Sequence, residues 1–181
     1  MHCKNVFVCC FGVAAALSAC TTTETGGTTY DPKAGTTIVT GRQTTIAPLA
    51  GSVRTIFLKA EMAPADTELY LVVLYLSTKG WLSADQVRDS SGVKLQGFIG
   101  QDETIPVQYG QVTKEIYYIP LSRRYLENHR KSGIEIRLKG PNGTVIATQP
   151  PIFVTRFLAD VDAAKTKRYG EVIVKKLAQS H

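Results

Sequence analysis

Leu69-Tyr70-Leu71-Val72-Val73-Leu74-Tyr75-Leu76 is the most apolar run in the chain after its first twenty residues. Eight residues is the length of a strand, and the Val and Tyr content favours a pleated surface over a helix. Apolar side chains fall at every position instead of every second one, which predicts a strand covered on both faces. Such a strand belongs at the centre of a sheet, and Lys79-Gly80 ends it.

The flanking segments supply its neighbours. Ser52 to Ala60 is rich in β-branched and apolar residues and reads as a strand, with a turn at Pro64 and Asp66. Trp81-Leu82 is expected to plug one end of the core, and Arg88 to Gly92 to form a polar turn. Val93 to Ile99 alternates and reads as a strand with Gly97 as a bulge. Thr104–Tyr109 and Val112–Ile119 read as a strand pair joined at Gly110-Gln111, with Pro120 closing the second.

Leu121 to Ser132 changes period. Ser122 can cap a helix, Tyr125 and Leu126 can face the core, and Gly133 can end the helix in the left-handed conformation. Ile134, Ile136 and Leu138 then alternate with charged residues, Pro141-Asn142-Gly143 is a tight-turn sequence, and Thr144 to Thr148 returns as the partner strand. Pro150-Pro151 breaks that strand. Ile152 to Ala164 has apolar residues at helical spacing, Gly170 is expected to break it, and Glu171 to Leu177 fits a last strand or a frayed helix. The pattern predicts a mainly β fold: an antiparallel β-sandwich with two short helices late in the chain, or a partly open barrel.

The chain start has a different organisation. Lys4 is the one charge in residues 1–19, and Val6 to Ala16 is an unbroken run of 11 apolar residues. As a helix that run would span about 16 Å, too short to cross a bilayer and typical of a signal-peptide core. Leu17-Ser18-Ala19-Cys20 follows. These residues resemble the lipobox of bacterial lipoproteins. The resemblance covers residues 1 to about 21. It implies a diacylglyceryl group on the Cys20 thiol, cleavage between Ala19 and Cys20, and a further acyl chain on the new amino terminus. With Thr21 after the cysteine, that family's sorting rule implies the outer membrane; the domain is expected on its periplasmic face. The globular part also has the general look of uncharacterised Gram-negative envelope lipoproteins, a likeness that assigns no residue a role.

Residues 1–19 thus read as signal peptide, 20–51 as the lipidated cysteine and a flexible Thr/Gly-rich tether, and 52–181 as the sandwich domain. The tether has sparse apolar residues without helical period, and would reach roughly 30 Å as a coil. Within it, Thr36 to Thr40 could pair as an edge strand.

Charge and residue inventory narrow the function. The net charge is +6, and +5 from Cys20 onward, which favours anionic surfaces weakly. In an envelope those are lipid head groups or anionic polymers; nucleic acid is not expected there. Of the four cysteines, Cys3, Cys9 and Cys10 leave with the signal and Cys20 carries lipid, so no disulfide or thiol chemistry is expected downstream. The histidines beyond the signal are His129 and the terminal His181. No His-Glu-x-x-His spacing, Gly-x-Ser-x-Gly elbow or phosphate loop is present. Asp102-Glu103 and the Asp160/Asp162 pair are the adjacent acids that glycoside hydrolysis could use.

The expectation is a protein that is not an enzyme and needs neither cofactor nor metal. It would do binding or assembly work from its lipid, with an envelope protein or anionic polymer as partner. Arg123, Arg124, Arg130 and Lys131 form the candidate contact surface, and the edge of the Ile134–Thr148 hairpin is a second. The alternatives are a periplasmic hydrolase of cell-wall glycan and a carrier of a small apolar ligand between the sheets.

Overall fold

The computed structural model describes residues 20–21, 26–46, 53–64, 67–78, 80–107 and 110–179. The described strands are β1 (Cys20–Thr21), β2 (Gly27–Asp31), β3 (Thr36–Thr40), β4 (Thr44–Ile46), β5 (Val53–Met62), β6 (Glu68–Thr78), β7 (Gln86–Asp89), β8 (Lys94–Leu95), β9 (Phe98–Val107), β10 (Gly110–Leu121), β11 (Ile134–Gly140) and β12 (Gly143–Gln149). The helices are α1 (Arg123–Asn128) and α2 (Pro151–Gln179). The strands form two antiparallel sheets, one of eight and one of four, which makes the fold β-sandwich-like.

β6 lies between β5 and β10 in the large sheet. Tyr70, Val72, Leu74 and Leu76 point into the main core, while Leu71 and Val73 are buried on the opposite face with Phe57. The central strand is therefore covered on both sides. On the outer face the cover is aromatic: Tyr75 stacks on Phe57 at 5.6 Å and Tyr118 on Phe98 at 5.4 Å. The main core lies between the sheets and takes Ile136 and Leu138 from β11, Val145 and Ala147 from β12, and Val154, Phe157, Leu158 and Val161 from α2.

The segment expected to be a tether is largely structured. β3 and β4 lie end to end along β5, Val39 opposite Ala60 and Thr44 opposite Ile56. β2 pairs outside β3, so Thr36–Thr40 is an interior strand and not an edge. The junction between β3 and β4 is bonded from across the sandwich. The buried Gln149 side chain donates to the Arg42 carbonyl at 2.7 Å and accepts from the Thr44 hydroxyl at 3.1 Å. The folded region thus includes residues 27–46, where the sequence pattern starts it at Ser52.

Other boundaries move for local reasons. Val93 to Ile99 is not one strand with a bulge. The chain leaves β8 in the small sheet and enters β9 in the large one, and a Cβ on Gly97 would come within 2.9 Å of Val87. Val107 pairs with Gly110, which places the reversal two residues before Gly110-Gln111. Pro120 does not end β10; it pairs opposite Leu71 beyond the reach of β9, where β10 has one neighbour. Gly170 does not break α2, which is 29 residues long and so not the short second helix expected.

The start of α1 is as read, but its end is not: the helix stops at Asn128 with His129 as its C-cap, and the chain turns through Ser132 before Gly133 donates to the His129 carbonyl at 2.9 Å. The Ser122 side chain accepts the N–H of Tyr125, Leu126 is buried, and Gly133 has φ +78. A Cβ at Gly133 would also lie 2.6 Å from the Gln149 carbonyl, so glycine is required there twice over.

Candidate functional site

Cys20 lies at the margin of the large sheet. It pairs with Ile46, which faces Arg54, then Leu76, Glu115 and Asp102 in one row across the sheet. Leu17, Ser18 and Ala19, the rest of the lipobox, lie outside the described residues, as does the side chain of Cys20. From Thr21 to Gly26 the chain runs five residues, so β2 starts close to the point where lipid would be attached.

The four cations predicted as a contact surface separate into two groups. Arg123 is engaged: its Nε pairs with Glu127 at 2.8 Å, its Nη2 with Asp162 at 2.8 Å, and its Nη1 reaches the Tyr70 hydroxyl at 3.4 Å. Tyr70 in turn donates to Glu68, which pairs with Lys165. This network joins β6, α1 and α2. Within it burial raises the Glu68 carboxyl pKa, and the Lys165 and Tyr70 hydrogen bonds lower it by more, leaving it below the usual range. Burial and the bond to Glu68 hold the Tyr70 phenol above its ordinary value. Arg123 is thus a strut between elements. Arg124, Arg130 and Lys131 are exposed, and no described residue forms an ion pair with them. Arg124 lies in α1 and Arg130 and Lys131 in the turn that follows it.

The second predicted contact, the hairpin edge, is β12, which borders the small sheet. Arg54 donates from Nη1 to the Ile146 carbonyl at 3.3 Å, capping that edge at its middle.

Among the described residues, the Asp160 and Asp162 side chains have different surroundings. Asp162 is held by Arg123, whereas Asp160 lines a groove on another side of α2. Asp102 and Glu103 lie in β9, with side chains outside the described residues. His129 stacks on Tyr125 at 4.1 Å, and its Nδ1 lies 2.8 Å from the Tyr125 carbonyl. His181 lies outside the described residues. Among the described residues no group of three His, Cys, Asp or Glu side chains comes together as a metal site.

One feature of the surface had no counterpart in the sequence pattern. β2 and α2 run beside each other and leave a groove of about 660 Å³, lined by Thr28, Tyr30, Asp160, Lys167 and Arg168 among others. A second hollow of about 310 Å³ continues it past Thr28 and Asp160 to Arg42 and Arg156. These residues come from segments more than a hundred positions apart, so no local motif could announce them. No family model, curated protein or solved structure matches this chain.

Proposed function

We propose that the chain is a bacterial envelope lipoprotein, held on the periplasmic face of the outer membrane by lipid on Cys20, with a folded domain that binds or assembles and does no chemistry. The observation that carries this is Leu17-Ser18-Ala19-Cys20 behind Lys4 and an 11-residue apolar run. Each buried methylene contributes about 0.8 kcal/mol and a single acyl chain holds only marginally, so two or three chains on one residue give lasting attachment. With β2 beginning just after Gly26, the domain would sit close to the bilayer and not at the end of a long leash. The exposed cations Arg124, Arg130 and Lys131 favour an anionic partner in that setting.

The test is covalent. Mass spectrometry of the mature amino terminus should find an acylated Cys20, and Cys20→Ser protein should leave the membrane fraction. An unmodified terminus, or unchanged fractionation, would overturn the proposal.

A further inference from the structure

The groove between β2 and α2 has a definite chemistry. On α2 its wall is built from Arg156, Asp160, Ala163, Ala164, Lys167 and Arg168. Steps of four, three, one, three and one residues put these on one stripe of the helix, about 18 Å long. The facing wall is β2, five residues and about 17 Å. The wall faces open space at Gly27, where a Cβ would meet nothing within 4 Å.

Cations predominate, but not uniformly. Arg42 and Arg156 stand at one end, Lys167 and Arg168 at the other, and the Asp160 carboxylate lies between them. Arg168 is partly committed, donating to the Met62 carbonyl at 3.0 Å, and Arg42 lies over the Phe153 ring at 5.9 Å. No described residue forms an ion pair with Arg156, Asp160 or Lys167. Tyr30 is 64 % exposed beside Lys167, so a large ring is left in water at the groove's edge.

We infer that this groove binds an anionic glycan. The Tyr30 ring would stack on a sugar face, Thr28 and Asp160 would share sugar hydroxyls, and Arg156 and Lys167 would hold carboxylate or phosphate substituents. Each part of the wall matches one part of such a ligand. A ring with an apolar face suits an exposed phenol. A carboxylate amid cations repels a plain polyanion but accepts hydrogen bonds from hydroxyls. The cations at both ends favour charge spaced along a chain. The inference names the partner class for the binding role proposed above and rests on that reading for its setting, though not for its geometry.

The experiment titrates the purified full mature chain, once lipidated in detergent and once as Cys20→Ser, with two probes. One is a carboxylate-bearing glycan fragment from peptidoglycan, the other a phosphorylated core oligosaccharide from lipopolysaccharide. Saturable binding of either, equal in both protein forms, is expected; which probe binds identifies the source of the anion. Tyr30→Ala and the pair Arg156→Ala/Lys167→Ala should each weaken it roughly tenfold, and Tyr30, Arg156 and Lys167 are all exposed, so they can change without unfolding the domain. Binding by neither probe to folded protein, or binding indifferent to these substitutions, would overturn the inference. Because Cys20→Ser protein is titrated alongside, a failed groove leaves the anchor standing, and a failed anchor leaves the groove standing.

Discussion

The Glu115 carboxylate, on β10, accepts the backbone N–H of Leu82 at 2.7 Å, in the segment that crosses between the sheets. Its other oxygen accepts the Ser83 N–H and the Tyr117 hydroxyl, each at 2.8 Å, and the Tyr117 oxygen accepts the Ala84 N–H at 2.9 Å. Glu115 is 1 % exposed, yet charge-assisted bonds from two main-chain donors and a phenol satisfy it. They also hold Ser83 at φ +48, a conformation L-residues avoid. Glu115→Ala would strand two backbone donors and a buried hydroxyl, and should cost roughly 3 kcal/mol or more. Glu115→Gln, which puts an amide donor where an acceptor is needed, should cost about 1–3 kcal/mol. Urea unfolding with an unchanged slope would measure both; midpoints equal to wild type would mean the crossing is held by something else.

Acid sensitivity follows from a second buried carboxylate. Burial raises the Asp89 pKa, but bonds from the Ser91 hydroxyl, the Val93 and Ser91 N–H groups and the Tyr125 hydroxyl lower it by more. Glu68 is depressed in the same direction by Lys165 and Tyr70. A carboxyl group depressed by folding contributes stability above its unfolded pKa of about 4, and that contribution is lost as pH falls through the folded value. The domain should therefore be at full strength above about pH 5 and weaken below about pH 4. At the other extreme Tyr125 is pushed up to about 12 by burial and by the charge and hydrogen bond of Asp89. Its contribution is present below the unfolded value of about 10 and disappears as pH rises toward the folded one. Asp89→Asn should flatten the acid limb and lower the phenol titration midpoint, read by ultraviolet difference absorbance against Tyr125→Phe. An acid limb identical to wild type would count against this assignment.

Where local chemistry decides structure, the sequence was enough. Leu69 to Leu76 announced the central strand by being apolar at every position, and Ser122 announced the start of α1 as its cap; Gly133 marks the left-handed turn into β11 and not the helix end, which comes at Asn128. Of the strands in residues 27–46 only Thr36–Thr40 was legible, and then as an edge, because the inward positions include Thr37 and Thr44, which are buried threonines and read as solvated. What orders them is remote: the side chain of Gln149 lies 105 residues from Thr44 in the chain. Arg123 looked like its basic neighbours, and the difference comes from Asp162 and Tyr70 on other elements. The groove is invisible for the same reason, since Tyr30 and Lys167 come to line it through the fold alone.

That division among the cations predicts two distinct phenotypes. Arg124, Arg130 and Lys131 are exposed, so their combined change to Ala should leave stability within about 0.5 kcal/mol of wild type. It should weaken association with anionic envelope material, more at low salt than at high. Arg123→Ala should do the reverse, costing about 1 kcal/mol through the partly exposed network and changing association little. Vesicle or polymer co-sedimentation over a salt series, with thermal melts of the same proteins, separates them. Equal effects on both readouts from both variants would erase the distinction between strut and surface.

Gly170 gives the most direct check on α2. Its position is exposed and helical, and a methyl group there would meet nothing within 4 Å. In a helix interior Ala is favoured over Gly by about 0.8–1 kcal/mol, and Pro is disfavoured by about 3 kcal/mol. Gly170→Ala should raise far-UV helicity, and it should raise the melting temperature too if the last turns fold in the same cooperative unit as Phe157 and Leu158. Gly170→Pro should remove the helical signal beyond that point. Were Gly170 a break, as its residue type alone suggests, Pro would be nearly silent and Ala would bring no gain. The pair of variants therefore decides between a continuous 29-residue helix and a helix that stops at Gly170.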